Sequence, residues 1–336
     1  MLYDLIIDPI THAPYLKNLF SNCLYYTEEF ENNKICGHYY LKDFKSKYNF
    51  DYNDDIIKLN ETKEFNNLFV VMPILSLIKE HQGNKHIMWV TKFKTLIDKF
   101  SKITKNKIII FDNHDYNYNP LPMLEKNDIK YDIIFKRVIN NYIDKNIYTY
   151  PFIMCTINDP FYYLLENEFL EPVDKKNKIV WAGSLFEHRE ELIDSYNEYA
   201  NRKGTLKKFN KKYRIIIEQK NVPYNQFLSL LNSYKYSLDL RGASRLNKRL
   251  FEIFSTNSLL IGEKIDIIWP FEEGDRFSPE CFFEQGNIED LYRIYKNFEN
   301  DNVLYEKCLD NQKYIVKKYF NKEWIRNYIN NIIENH

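Results

Sequence analysis

A short segment in the second half of the chain gathers residue types that bind phosphate. Residues 241–252 read RGASRLNKRLFE, and their charged members are Arg241, Arg245, Lys248, Arg249 and Glu252. We expect a helix over about residues 244–254, which places Arg245, Arg249 and Glu252 at i, i+4 and i+7 on one polar face. The apolar stripe of the same helix is separate and consists of Leu246, Leu250, Ile253 and Phe254.

The position of these cations beside Gly242 favours a diphosphate ligand. Backbone N–H groups and the dipole at the start of a helix attract an anion. A planar guanidinium can hold two phosphate oxygens at once. An alternative stays open, in which the segment is a solvated helix face with an ion pair between Lys248 and Glu252.

A second segment has the same order of strand, turn and helix. Residues 178–181 (KIVW) predict a strand, Gly183 and Ser184 a turn, and Arg189 falls on the first turns of a helix predicted to end near residue 201. In a parallel sheet the carboxyl ends of the strands meet at one edge, where ligands bind. Ser184 and Arg189 can therefore reach the same nucleotide as the arginines of residues 241–252.

These two segments together resemble the donor-binding half of the Rumi-type protein O-glucosyltransferases and capsule-associated xylosyltransferases. The family's glycine-serine turn with a following arginine and acid resembles residues 183–190, and its Y-K-Y-hydrophobic-[DN]-hydrophobic-R-G strand and loop resemble residues 234–242 (YKYSLDLRG). The helical arginine that follows in the family falls at Lys248 or Arg249. The resemblance covers about residues 178–290, a third of the chain.

That family has a GT-B fold of two facing Rossmann-like domains, holds its donor in the second domain, and is metal-independent and inverting. The resemblance implies a glycosyltransferase that moves a sugar from a UDP- or GDP-sugar to a glycan or glycoprotein hydroxyl, with no cofactor and no metal. It implies donor contacts for Ser184, Arg189, Arg241 and Arg249. The chemistry of the two segments adds Gly183, Gly242, Arg245 and Lys248, with Glu252 as an acceptor for ribose hydroxyls.

The first half does not match that family, so its catalytic candidates rest on the residues alone. Residues 107–111 (KIIIF) predict a buried strand, and acids and a histidine follow it in residues 112–115 (DNHD). A carboxylate at the carboxyl edge of a sheet is well placed as a general base. The candidates, in order of preference, are Asp115, Asp112, His114 and His12.

Other interpretations of these residues stay open. The spacing Asp112-x-x-Asp115 with one histidine lacks the ligand set of a zinc site and is not the D-x-D of manganese-dependent glycosyltransferases, so we expect no metal. A turn-stabilising aspartate beside a surface histidine is a second alternative. Asp8 with His12, after the first predicted strand, is another candidate base.

The elements that position these residues alternate between short apolar runs and helical stretches. In the second half the predicted strands are 178–181, 213–217, 236–240, 258–261 and 281–284. The predicted helices there are 187–201, 224–231, 244–254 and most of 288–334. In the first half the apolar runs are 69–72, 86–90, 107–111 and 132–135, with a helix-like stretch at 94–100. This alternation predicts βαβ units and parallel sheets.

The length of 336 residues suggests two domains, at roughly 150 residues each. We expect an α/β protein of GT-B type, with an acceptor-side domain over residues 1–165 and a nucleotide-sugar-binding Rossmann-like domain over residues 166–336. Prolines and a charged run in residues 150–178 favour that boundary. The last helix, around residues 323–335, is a candidate to cross back to the first domain, as GT-B chains commonly do.

Composition and missing motifs exclude several classes of protein. The 47 basic and 47 acidic residues leave no surplus for nucleic acid. Neither G-x-G-x-x-G nor G-x-x-x-x-G-K-[ST] occurs, which disfavours nicotinamide dehydrogenases and P-loop enzymes. No apolar run approaches the ~18 residues of a transmembrane helix, and the five cysteines form no C-x-x-C pair, so we expect a soluble, cytoplasmic protein. The alternative function is an α/β protein that binds a nucleotide without sugar transfer.

Overall fold

The computed structural model describes two compact units. The residues it describes are 2–8, 16, 19–20, 22–26, 34–35, 39–40, 64–72, 84–112, 120–137, 139, 149–153, 170–182, 202–214, 218–220, 224–241, 246, 248–265 and 267–336. The first unit comprises Met1–Ile157, Ile268–Pro270 and Ile325–His336, and the second comprises Asn158–Ile267 and Phe271–Trp324.

The first unit is built on a parallel sheet. The strands described in this unit are β1 (Tyr3–Ile7), β2 (Cys23–Tyr26), β3 (Lys34–Ile35), β4 (Tyr39–Tyr40), β5 (Phe65–Val71), β6 (Ile108–Asp112), β7 (Ile133–Lys136) and β8 (Thr149–Pro151). Six of them pair in the order β2-β1-β5-β6-β7-β8, and β3 pairs with β4 in an antiparallel ribbon. Consecutive residues of β6, from Ile109 to Phe111, are fully buried, as expected of a strand covered on both faces.

One predicted strand of this unit is wrong. Residues 86–90 (HIMWV) lie in helix α1 (Asn84–Ser101), which is followed along the chain by helix α2 (Leu121–Lys126). The buried residues of α1 recur at helical spacing and include Val90, Phe93, Ile97 and Phe100. A five-residue apolar run does not distinguish a strand from a buried helix turn, whereas the spacing over the whole segment does.

The second unit is built on another parallel sheet. Its described strands are β9 (Lys176–Ala182), β10 (Glu218–Lys220), β11 (Tyr234–Asp239), β12 (Leu259–Glu263) and β13 (Phe282–Phe283). They pair in the order β10-β9-β11-β12-β13. The predicted strands at 178–181, 236–240 and 258–261 are thus present within about two residues of their predicted bounds. The parallel sheets of both units confirm the α/β class.

The second unit also contains helices. Those described are α3 (Arg202–Tyr213), α4 (Tyr224–Asn232), α5 (Lys248–Phe254), α6 (Ile288–Asn300) and α7 (Asn302–Tyr319). Helix α8 (Lys322–Asn335) follows α7 along the chain, and most of it belongs to the first unit. Helix α3 includes Tyr213, the first residue of the strand predicted at 213–217, and the strand described after it begins at Glu218. Helices α6 and α7 start at side-chain caps, Asn287 and Asp301, each of which accepts a backbone N–H three residues on.

The last helix contributes to both units. Its residues Ile325–His336 belong to the first unit. There the Tyr328 hydroxyl donates to the Pro151 carbonyl oxygen at 2.8 Å, and the Arg326 guanidinium donates to the Leu19 carbonyl. No helix in the described ranges has both the length and the apolar character needed to cross a membrane.

Candidate functional site

Two of the residues predicted to bind the donor, Arg241 and Arg249, lie at the carboxyl edge of the second unit's sheet. Strands β9, β11 and β12 are neighbours and end at Ala182, Asp239 and Glu263. Asp239 pairs with Gly262, so β11 and β12 end at nearly the same level. Arg241 follows β11 by two residues and therefore lies at this edge.

Helix α5 brings Arg249 to the end of β9. The guanidinium carbon of Arg249 lies 5.0 Å from the ring centre of Trp181, the last residue but one of β9. It lies 4.6 Å from the ring centre of Phe227 on α4. The negative faces of the two rings attract the guanidinium. Because both rings are buried, this attraction is stronger than at the surface and helps to fix the position of the guanidinium. The sequence did not indicate either aromatic partner.

Glu252 pairs with Arg249 inside the protein. The Arg249 Nε and Glu252 Oε2 atoms are 3.4 Å apart, and the side chain of Arg249 is 13% exposed. Glu252 itself is 1% exposed. The alternative of a solvated helix face is therefore wrong for these two residues, because both side chains are largely buried. A buried carboxylate needs a cation beside it, and Arg249 supplies that cation. The apolar stripe of Leu246, Leu250, Ile253 and Phe254 is buried as predicted.

Sequence reasoning missed two residues that contact Arg241. The Arg241 backbone N–H donates to Glu263 Oε2 at 2.7 Å, and its guanidinium Nη1 donates to Gln285 Oε1 at 2.8 Å. Gly286 donates its backbone N–H to the other Glu263 oxygen at 3.0 Å. The available signal was Glu263 at the end of an apolar run and Gln285 beside a glycine, both at predicted strand ends.

Several predicted donor residues cannot be placed. Those outside the described residues are Gly183, Ser184, Arg189, Gly242 and Arg245. Helix α5 begins at Lys248, four residues later than the predicted start, and Leu246 lies in a bend before it. Lys248 is thus the first helical residue of the segment, and Arg249 and Glu252 lie on the same short helix.

The carboxyl edge of the first unit's sheet carries a buried ion pair. Asp112 ends β6, and its carboxylate accepts from Lys136 Nζ of β7 at 2.7 Å. Both side chains are fully buried. This arrangement makes Asp112 a poor general base, because protonating it leaves the Lys136 ammonium buried beside a neutral partner. Asp8, after β1, is fully buried as well.

The other base candidates, Asp115, His114 and His12, lie outside the described residues. In the sequence Asp115 follows the last residue of β6 by three positions, and its role as the base stays a prediction. Within the ranges that the structure describes, no group of three or more histidine, cysteine, aspartate or glutamate side chains could hold a metal ion.

Comparison with known proteins yields matches in structure alone. No protein-family profile matches this chain, and no curated protein matches it in sequence. Among solved structures, HepE of Anabaena in complex with UDP and glucose is 8% identical, with a TM-score of 0.53 and 100% of both chains covered. The UDP-forming α,α-trehalose-phosphate synthase of Burkholderia xenovorans is 9% identical, with a TM-score of 0.52, over 100% of this chain and 99% of that one.

A third similar structure is a mutant of the T4 phage protein BGT in complex with UDP-glucose. It is 13% identical, with a TM-score of 0.51, over 99% of this chain and 100% of that one. Identities of this size show a shared fold, and the narrower resemblance to the Rumi-type family stays a prediction. The fold that this chain shares with them over its whole length is GT-B, as the sequence predicted.

Proposed function

We propose that this protein is a glycosyltransferase that moves a sugar from a UDP-sugar to a hydroxyl of a glycan or glycoprotein. One observation carries the proposal: two arginines, Arg241 and Arg249, are held by defined partners at the carboxyl edge of the second unit's sheet. In an open α/β sheet this edge is where ligands bind. The GT-B fold supports the same conclusion.

The two arginines would bind the diphosphate of the donor. A guanidinium forms charge-assisted hydrogen bonds to phosphate oxygens and stays charged at any physiological pH. Its rigid placement also matters for chemistry, because charge builds up on the diphosphate as it leaves the sugar. Arginines that are already in position stabilise that charge. They can thereby replace the metal ion that neutralises the diphosphate in other transferases. Ser184, Arg189 and Lys248 are proposed to complete the site.

Glu252 fits a positioning role better than the predicted contact with ribose. Its carboxylate is buried and pairs with Nε of Arg249, so it can hold the guanidinium in place from inside the protein. The nucleotide is proposed to be UDP rather than GDP because the similar structures named above were determined with UDP or UDP-glucose or belong to a UDP-forming enzyme.

The reaction is proposed to invert the anomeric configuration without a metal. A base in the first unit, for which Asp115 is the first candidate, takes the proton of the acceptor hydroxyl as its oxygen attacks the anomeric carbon. The bond from that carbon to the diphosphate oxygen breaks, and UDP leaves against the arginines of the second unit. This scheme needs one displacement and no covalent intermediate.

A panel of nucleotide sugars tests the function directly. The protein is incubated with UDP-glucose, UDP-galactose, UDP-N-acetylglucosamine, UDP-xylose and GDP-mannose, and free nucleotide is measured with and without a mixture of glycan acceptors. We expect slow release of UDP from one UDP-sugar, since water can replace the acceptor. Nucleotide binding without release from any of these donors would instead support the alternative of a non-catalytic nucleotide-binding protein.

Replacing Arg249 with methionine should weaken UDP binding by about tenfold to a hundredfold. Losing a hydrogen bond to a charged group costs about 1.5 to 3 kcal/mol, and methionine keeps apolar contact with Trp181 and Phe227. Isothermal titration calorimetry measures the change. Arg249→Lys keeps the charge but loses the two-pronged geometry, so we expect an intermediate affinity.

The matched control is Arg293→Met. This arginine lies on α6, is 61% exposed and pairs with Asp290, so its loss removes the same charge from the surface. We expect its UDP affinity to equal that of the wild type. Because the substitution also leaves the buried Glu252 carboxylate without this cation, the affinity is compared below the melting temperature measured for the variant. A folded Arg249→Met variant that binds UDP as tightly as the wild type would exclude Arg249 from the donor site.

A further inference from the structure

Glu263 connects two loops at the carboxyl edge of the second unit's sheet. It ends β12, which lies between β11 and β13. One carboxylate oxygen accepts the backbone N–H of Arg241, in the loop after β11, at 2.7 Å. The other accepts the backbone N–H of Gly286, in the loop after β13, at 3.0 Å. A single side chain thus fixes the backbone on both sides of its own strand.

The chemistry of Glu263 is unexpected for a site that takes an anion. A free carboxylate beside a diphosphate would repel it. Here both carboxylate oxygens accept N–H donors, and the residue is 7% exposed. Hydrogen bonds of this kind to an ionised acceptor are stronger than those between neutral groups. The charge of Glu263 is therefore satisfied by the backbone N–H groups of Arg241 and Gly286, and it holds these two loops in place.

The same loops also hold the side chain of Arg241. Gln285 precedes Gly286 and accepts from Arg241 Nη1 at 2.8 Å. Gly286 has φ of +70°, a left-handed conformation that glycine adopts without strain, and this turn aims its N–H at Glu263. Arg241 is consequently fixed at its backbone by Glu263 and at its guanidinium by the neighbour of Gly286.

We propose that Glu263 is a positioning residue that fixes Arg241 for the diphosphate of the donor. This inference rests on the proposed function for its ligand, whereas the hydrogen bonds of Glu263 do not depend on that function. Glu263 itself makes no contact with the donor in this scheme. Its effect on UDP binding passes through Arg241 and the loop that carries Gln285.

The principal variant is Glu263→Gln. Glutamine has the same shape but only one oxygen, so it can accept one of the two N–H groups and places an N–H donor against the other. We expect the dissociation constant for UDP to rise about tenfold. Hydrogen–deuterium exchange in the nucleotide-free protein should become faster at the amides of Arg241 and Gly286, also by about tenfold.

A double-mutant cycle with Arg241→Met separates positioning from a general loss of structure. If Glu263 acts through Arg241, adding Glu263→Gln to Arg241→Met should weaken UDP binding by less than twofold further. Full additivity of the two losses would overturn the inference. Gln285→Ala is a second test, and it leaves the buried carboxylate of Glu263 in place. Because Gln285 is exposed, we expect this variant to bind UDP severalfold more weakly with an unchanged melting temperature.

Glu284→Gln is the matched control, since it removes the same charge from an exposed residue next to the loop. Glu284 pairs with Lys264 at the surface, and we expect wild-type UDP affinity and wild-type amide exchange. Failure of the proposed function would appear as no UDP binding by the wild type, while the amides of Arg241 and Gly286 still exchange faster in Glu263→Gln. Failure of the inference alone would appear as UDP binding that Arg241→Met weakens and Glu263→Gln does not.

Discussion

Replacing Lys136 with methionine should lower the free energy of unfolding by about 3 to 5 kcal/mol. Lys136 Nζ lies 2.7 Å from the Asp112 carboxylate, and neither side chain is exposed to solvent. Methionine has a similar length but no charge, so the variant leaves a carboxylate in the core without this ammonium. Chemical denaturation followed by tryptophan fluorescence and circular dichroism measures the loss.

Two further variants show whether the loss arises from the buried charge. Lys105→Met removes a lysine of the same unit whose side chain is 49% exposed and pairs with Glu64, and a surface pair contributes about 0 to 1 kcal/mol. The double variant Asp112→Leu/Lys136→Met removes both charges and should recover much of the stability, because apolar residues of similar volume can replace a buried pair. A loss below about 1 kcal/mol in Lys136→Met would contradict the buried pair.

Several strands of the two sheets could be predicted from the sequence because they contain continuous apolar runs. Residues 107–111 and 178–181 read KIIIF and KIVW, and their strands are covered on both faces, which removes the polar positions that alternate in a half-exposed strand. The same signal failed at residues 86–90. There the apolar run is one turn of a longer helix, and only the positions of Phe93, Ile97 and Phe100 beyond it reveal the helical period.

Only part of the candidate site could be predicted, because the residues that contact one another there are far apart in the sequence. Arg241 was identified because it directly follows a predicted strand, and Arg249 because it lies on the polar face of the predicted helix after it and at the family's helical arginine. Their partners were missed because they come from distant elements: Glu263 is 22 residues from Arg241, and Gln285 is 44 residues from it. A sequence pattern shows which residues share an element, but the pairing of β11, β12 and β13 decides which loops meet.

Burial also changed the interpretation of Glu252. At i+3 from Arg249 it has the spacing of an exposed ion pair on a helix, which contributes a few tenths of a kcal/mol. In the structure Glu252 is 1% exposed and the Arg249 guanidinium lies over the Trp181 and Phe227 rings, so the pair is shielded from water. An ion pair in that setting fixes a geometry, since each charge is costly without the other.

Replacing Asp115 with asparagine should leave UDP binding unchanged and reduce sugar transfer by about 100-fold to 10,000-fold, the usual contribution of a positioned base. Asp115 is the first choice because the competing carboxylate, Asp112, is already committed to Lys136 inside the core. Asparagine has the same shape but cannot take a proton from the acceptor hydroxyl. Calorimetry with UDP and initial rates of transfer measure the two effects separately.

Matched variants and stereochemistry complete this test. Asp128→Asn changes an exposed acid of the same unit, whose side chain is 91% exposed, and should transfer sugar at the wild-type rate. His114→Ala and His12→Ala should each lose far less activity than Asp115→Asn if Asp115 is the base. Transfer at the wild-type rate in Asp115→Asn would assign the base to another residue. Retention of the anomeric configuration in the product, read by NMR, would contradict single displacement, because one attack by the acceptor oxygen on the anomeric carbon inverts it.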